Sequence, residues 1–268
     1  MNKIMTIGMA TLLVAGVAGA QSDVVMVGQA PADDPSIAKV TAEAALVSAY
    51  VWRGQVYNSD AVIQPQITIS QYDFSFNVWA NYDLKKNVAG ISSDFSELAL
   101  SLAYTLPVNL NEMEITVGAI NYTYPNSLTE STTEFFASAV VLSYADYFIP
   151  SATLFGDIDE VRGSYILLDV VAPYQVSDYL AVEGGVSAGY GNTAYNDAYF
   201  PNAAGDQDAG FNDYNFYVNA AYDIYENVTL SANVTYTFLE GGSIRRAADA
   251  NYEAKQKLWG GVNVIYDF

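Results

Sequence analysis

Five carboxylates, Glu97, Glu114, Asp169, Glu183 and Asp223, stand at positions where a strand would turn them to one side with Asn, Ser and Thr neighbours. Paired acids of this kind can share a proton and serve as general acid and base. The chain contains no His and no Cys, which removes the side chain that titrates unperturbed near neutrality, the thiolate nucleophile and the usual zinc and iron ligand sets. The acids are therefore expected to act through their charge, and no enzymatic activity and no cofactor are expected. Arg53 has two readings: a constriction that attracts carboxylate or phosphate groups, or a structural ion pair with an acid nearby. Asp206-Gln207-Asp208-Ala209-Gly210 spaces oxygens as a calcium ion would need, with Asp206 and Asp208 as weak ligand candidates, but the other positions of a calcium loop are missing and an acidic solvated loop is the favoured reading.

Strands must position these groups. In Phe74-Ser75-Phe76-Asn77-Val78-Trp79-Ala80-Asn81-Tyr82-Asp83 large apolar residues alternate with mostly polar ones, so the segment has one greasy face and one wet face. The pattern recurs about every nineteen residues and predicts twelve strands, near 42–53, 61–71, 73–83, 95–105, 112–124, 133–145, 148–157, 163–173, 179–190, 213–223, 228–239 and 252–268. Tight turns at 71–73, 145–147 and 223–227 alternate with longer segments rich in Gly, Asn and Asp at 84–93, 125–132, 191–212 and 240–251. Short turns at one end and long loops at the other are the rule for membrane barrels, and an even strand count puts both ends of the sheet on the turn side.

Met1 to Ala20 has the parts of a secretory signal: Lys3, an apolar run from Ile4 to Val17, and Ala18-Gly19-Ala20 before the expected cut. Its removal leaves nine basic and thirty acidic residues, a net charge near −21 that argues against nucleic-acid partners. No later stretch is long and apolar enough for a membrane helix, although 51% of the residues are hydrophobic. An exported chain of this kind is expected to close its sheet in the outer membrane, because only a closed barrel satisfies every backbone group in lipid. Residues 21–40, with Ala30-Pro31-Ala32-Asp33-Asp34-Pro35, suit a flexible periplasmic leader, and 41–268 the barrel.

In the twelve segments one face is set toward lipid, as with Val228, Leu230, Ala232, Val234, Tyr236 and Phe238, and the other toward an interior. The interior candidates for lining a passage are Arg53, Gln64, Gln66, Asn77, Asn81, Asp83, Glu97, Glu114, Asp169, Glu183, Asn219, Asp223, Asn233 and Lys257. Placing Arg53 inward sets Leu46, Tyr50 and Trp52 toward lipid. Tyr50, Tyr72, Tyr82, Tyr104, Tyr144, Tyr174, Tyr190, Tyr222 and Tyr266 fall near strand ends, where their amphipathic rings would form interfacial girdles. The terminal Phe268, in phase with the lipid-facing set, resembles the assembly signal of outer-membrane barrels.

Ala45-Leu46-Val47-Ser48-Ala49-Tyr50-Val51-Trp52-Arg53-Gly54, then Ser59-Asp60, Gln64 and Phe76-Asn77-Val78-Trp79-Ala80-Asn81, resembles the opening of the TorF-type porins over about forty residues. The hairpin at Gln71-Tyr72-Asp73 departs from that family in lacking a Gly. The resemblance implies a pore without naming its solute.

The expectation is an all-β protein: a single transmembrane antiparallel up-and-down β-barrel of about twelve strands in the outer membrane. Its expected work is passive diffusion of small hydrophilic solutes, mildly cation-selective because inward acids outnumber bases such as Lys257. Expected partners are the membrane lipids and lipopolysaccharide, the barrel assembly machinery and small solutes or ions. The alternatives are a non-conducting structural or adhesive barrel working through its outer loops, and a soluble secreted sandwich. Residues 191–212 are the candidate loop for folding into the interior.

Overall fold

The computed structural model describes residues 37–108, 112–142, 144–145, 147–202 and 207–268. The signal segment, most of the leader and Asp206 lie outside the described residues. Twelve strands close into one antiparallel barrel: β1 (Lys39–Val47), β4 (Val62–Gln71), β5 (Phe74–Asp83), β6 (Asp94–Thr105), β7 (Met113–Thr123), β8 (Thr132–Val141), β9 (Ile149–Asp157), β10 (Ser164–Ser177), β11 (Leu180–Gly191), β12 (Gly210–Tyr225), β13 (Val228–Leu239) and β14 (Gln256–Asp267). Sequence neighbours pair throughout, and β1 meets β14 to complete the circle, with Thr41 opposite Asp267 and Val47 opposite Gly261. A soluble sandwich is thereby ruled out as the architecture.

Three other elements lie outside the wall. A short hairpin of β2 (Tyr50–Trp52) and β3 (Gln55–Asn58) follows β1, and helices α1 (Thr193–Tyr199) and α2 (Ser243–Asn251) interrupt the two longest connections. All three belong to the end of the barrel with long connections; the opposite end has turns as short as Tyr72–Asp73 and Asp178–Tyr179.

The lipid face is the greasy face of each strand. Ile63, Ile67 and Ile69 on β4, Phe74 and Phe76 on β5, and Phe216 and Val218 on β12 are exposed, whereas their alternating neighbours are buried or half-buried. Aromatic pairs mark both rims, with Phe74–Tyr104 and Tyr266–Phe268 at the turn end and Tyr82–Phe95 and Tyr190–Phe211 at the loop end. Tyr50 is a correction to the girdle: with Trp52 it lies inside the barrel, 3% and 6% exposed. The chain leaves the wall at Ser48, where the first strand was expected to run on to residue 53.

Register shifts interrupt the β5–β6, β10–β11, β11–β12 and β12–β13 ladders, and the β4–β5 ladder has a gap. The β4–β5 ladder passes from Ile63–Tyr82 to Gln66–Trp79, skipping the level of Pro65, which has no N–H to donate. On the interior side of the gap the Gln64 amide donates to Asn81 Oδ1 at 2.9 Å, so a side chain spans the interval where the ladder is interrupted.

Candidate functional site

The site is the barrel interior, which divides into a filled outer half and a polar inner half. The β2–β3 hairpin fills the first. Its two-residue turn is Arg53-Gly54, both at positive φ (+46° and +80°), the arrangement that matches strand twist in tight hairpins. Gly54 is required there on two counts: the left-handed backbone, and a close approach in which an added Cβ would stand 2.5 Å from both Asp213 Cβ and Leu239 Cδ2.

Arg53 reaches from this turn into the wall. Its guanidinium donates to both Glu134 oxygens, Nη1 to Oε1 at 2.9 Å and Nη2 to Oε2 at 2.6 Å, with the two side chains 1% and 2% exposed. The rings of Trp52, Phe155 and Tyr165 stand 4.5, 4.3 and 4.6 Å from Cζ, and Tyr195 stands at 5.8 Å. Four faces within cation–π range and a bidentate carboxylate replace the hydration that burial removes. Of the two readings of Arg53, this geometry is the ion pair. Its partner Glu134 was not singled out from the sequence, because β8 also turns Phe136 and Val140 inward and so shows no wet face by which to sort its acid.

Further bonds anchor the hairpin. Tyr50 donates to Glu97 at 2.7 Å, Asn58 donates to Asp83 Oδ1 and to the Lys85 carbonyl, and Lys257 Nζ donates to the Ser59 carbonyl at 2.9 Å. Helix α1 is capped by Asn192, whose Oδ1 accepts from the N–H groups of Tyr195 and Ser164, tying the helix start to β10. It delivers Tyr195 and Tyr199 to the hairpin, where the Tyr199 and Trp52 ring centroids are 5.1 Å apart. Gln55, fully buried, accepts from Tyr57 and Tyr252, and its Nε2 donates to Tyr195. Burial pushes the Tyr195, Tyr199 and Tyr252 hydroxyls well above their ordinary titration range, so they stay neutral. The infolded segment is therefore chiefly 48–60, with 191–212 contributing α1 beside it.

Below the hairpin the interior mixes polar groups with a few inward apolar side chains such as Val140, Ile149 and Val171. Asp169 on β10 accepts from Tyr217 at 2.8 and 2.9 Å, across Gly185, where an added Cβ would meet the Tyr217 ring at 2.1 Å. Glu183 accepts from Asn219 at 2.7 Å, Asp223 from Thr229 at 2.7 Å and Glu43 from Asn263 at 2.9 Å. Asn77 donates to Thr68 and Gln66. Glu114 and Asn233 are half-buried on the interior face of β7 and β13. Asn219 Oδ1, Asn233 Nδ2, Thr235 Oγ1 and Asn263 Oδ1 are buried without a hydrogen-bond partner among the described residues.

The structure thus brings Arg53, Asp83, Glu97 and Lys257 into the hairpin's anchorage, and leaves Asp169, Glu183, Asn219, Asp223 and Asn233 on the inner half. Asp208 presents its backbone carbonyl to Asn196 Nδ2 at 2.8 Å, and no group of three acids among the described residues is arranged to hold a metal ion.

No family model matches the chain, and no curated protein does. The fold is similar to that of several solved outer-membrane channels. A COG4313 outer-membrane channel from Pseudomonas putida F1 superposes with a TM-score of 0.55 at 12% identity, over 90% of this chain and 100% of the other. A KdgM porin in complex with disordered oligogalacturonate gives 0.52 at 10% identity over 86% and 99%, and the NanC porin 0.50 at 9% over 85% and 98%. At these identities the likeness is one of fold: a porin-type barrel of the same overall length.

Proposed function

We propose that this chain is an outer-membrane channel for passive diffusion of small hydrophilic solutes, narrowed by its own hairpin and mildly selective for cations. The observation that carries the reading is a closed twelve-stranded wall, greasy outside, around an interior whose inner half is lined by carboxylates and amides. Twelve strands enclose less room than sixteen-stranded porins and more than filled eight-stranded barrels, so one short hairpin is enough to set the bore. Arg53 is neutralised by Glu134 and Lys257 is engaged by Ser59, while Asp169, Glu183 and Asp223 have only neutral partners in the bonds they make. The remaining field favours cations. Export through a signal at 1–20, a periplasmic leader at 21–40, contact with lipopolysaccharide and the assembly machinery, and kinship with the TorF-type porins belong to the same proposal. The same reading assigns the interior acids an electrostatic role and no catalysis.

A second reading, a structural or adhesive barrel without conductance, is favoured by one observation: Arg53, Gln55 and Asn58 are at most 1% exposed, so the outer half is tightly filled. Single-channel recording of the refolded protein in a planar bilayer under a potassium chloride gradient separates the two. Stable steps with a cation-preferring reversal potential support the channel; silence from a folded, heat-modifiable barrel transfers the assignment to the structural reading, and an anion preference defeats the selectivity.

A further inference from the structure

The residues around Arg53 belong to two parts of the chain with different dependencies. Trp52 arrives with the hairpin, whereas Glu134, Phe155 and Tyr165 are fixed by the barrel itself: Phe155 pairs with both Phe136 and Tyr165, and Glu134 pairs with Asp157 in the same ladders. Their side chains are held from elsewhere too. Tyr165 donates to Asp213 at 2.9 Å, Tyr122 donates to Glu134 at 3.2 Å, and Tyr195 stands on a helix whose cap is tied to β10. A carboxylate flanked by aromatic faces therefore exists in the wall independently of the side chain that fills it. Such an arrangement is complementary to a flat or alkylated organic cation.

The occupant is expensively placed. Arg53 takes a left-handed backbone at a turn position that favours Asn, Asp or Gly, and carries a permanent charge into a site with almost no solvent contact. A hairpin needing only to be packed against the wall would do so with an apolar side chain.

We propose that Glu134, Phe155 and Tyr165 of the barrel wall, with Tyr195 of α1, form an organic-cation subsite that Arg53 occupies from within the chain, and that solutes bearing a guanidinium or alkylammonium group compete for it. The proposal rests on the channel reading for its biological use, since it names the class of solute such a channel would recognise, but the subsite itself is tested by binding alone. A competing cation takes Arg53's place beneath the hairpin and thereby loosens the narrowing that the hairpin makes.

The test uses the refolded full chain in detergent, with methylguanidinium chloride as probe and urea, the neutral molecule of similar shape, as control. Calorimetric titration of Arg53→Ala is expected to show binding at least tenfold tighter than in the unsubstituted protein, no comparable response to urea, and loss of the gain in Arg53→Ala combined with Glu134→Gln. Equal weak binding in all three proteins overturns the subsite. Should Arg53→Ala fail to refold, the unsubstituted protein decides: methylguanidinium is expected to change Trp52 fluorescence where urea does not, and the change is expected to vanish in Trp52→Phe. Identical responses to the two probes overturn the proposal. Binding in a protein that passes no current leaves the subsite standing and removes the channel reading; current without binding does the reverse.

Discussion

Replacing Glu134 by Ala removes the bidentate carboxylate from the buried guanidinium and takes an acceptor from Tyr122, while leaving the barrel's backbone ladders untouched. Removing one partner of a buried ion pair costs about 3–5 kcal/mol, because the remaining charge is incompletely compensated away from water. The wall has no reason to open in response, since every strand remains paired on both sides. The hairpin does: Arg53 regains hydration if residues 48–60 swing toward solvent. At about 1.4 kcal/mol per factor of ten, the cost lowers the ratio of docked to undocked hairpin by roughly 100- to several thousand-fold. Hydrogen exchange reads this directly, as faster exchange confined to the amides of Tyr50–Asn58 with the strands unchanged, and bilayer recording reads it as larger or longer current steps. Unchanged protection at those amides in a folded Glu134→Ala barrel refutes the reasoning, because it would mean that the ion pair does not hold the hairpin.

Other expectations follow from the two faces of the wall. Val218→Arg puts a charge on the lipid face of β12 and is expected to destabilise the barrel by about 2–4 kcal/mol if that residue sits near mid-bilayer, whereas Asn219→Arg beside it, facing Glu183, is expected to cost far less in the same urea-unfolding assay. Gly185→Val drives the Tyr217 ring from its place over the strand and breaks its bonds to Asp169, an overpacking expected to cost about 1–3 kcal/mol and to lower the temperature of the heat-dependent gel shift. Asp169→Asn with Glu183→Gln is expected to move the reversal potential toward neutrality without changing the fold. Deleting Phe268 removes an exposed aromatic whose N–H donates to the Val40 carbonyl across the seam, and is expected to lower the amount recovered in the outer-membrane fraction.

The wall was legible because lipid imposes a single rule on one face of every strand. Ile67 and Ile69 against Gln66 and Thr68 could be sorted without structure, and all the expected segments but the first, which ran on past Val47, stand within a few residues of the observed strands. The same rule misled at Tyr50 and Trp52. They continue the alternation of β1, but beyond Ser48 it belongs to a hairpin packed on all sides, and a turn built on Arg-Gly lacks the Asn-Gly or Asp-Gly signature that would have announced it. Helix α2 left a trace in Ser243-Ile244-Arg245-Arg246-Ala247-Ala248, good helix formers with Ile244, Ala247 and Ala248 buried on one side, whereas α1 is short and owes its place to the Asn192 cap and Tyr195 packing. The Arg53 cage joins residues from 52 to 195 and depends on register, which spacing along the chain does not reveal.

The seam between β1 and β14 also governs the order of events when the protein is made. Thr41 finds its partner Asp267 across a separation of 226 residues, so the outer edge of β1 stays unsatisfied until almost the whole sequence has been delivered. Eleven hairpin-like pairings can form locally and quickly, but circular closure is a long-range contact and carries the entropy of the largest loop. Until that moment an exposed strand edge is open to pairing with any other chain. Assembly in a crowded compartment therefore favours a chaperoned, membrane-templated route in which the first strand is shielded while the last arrives.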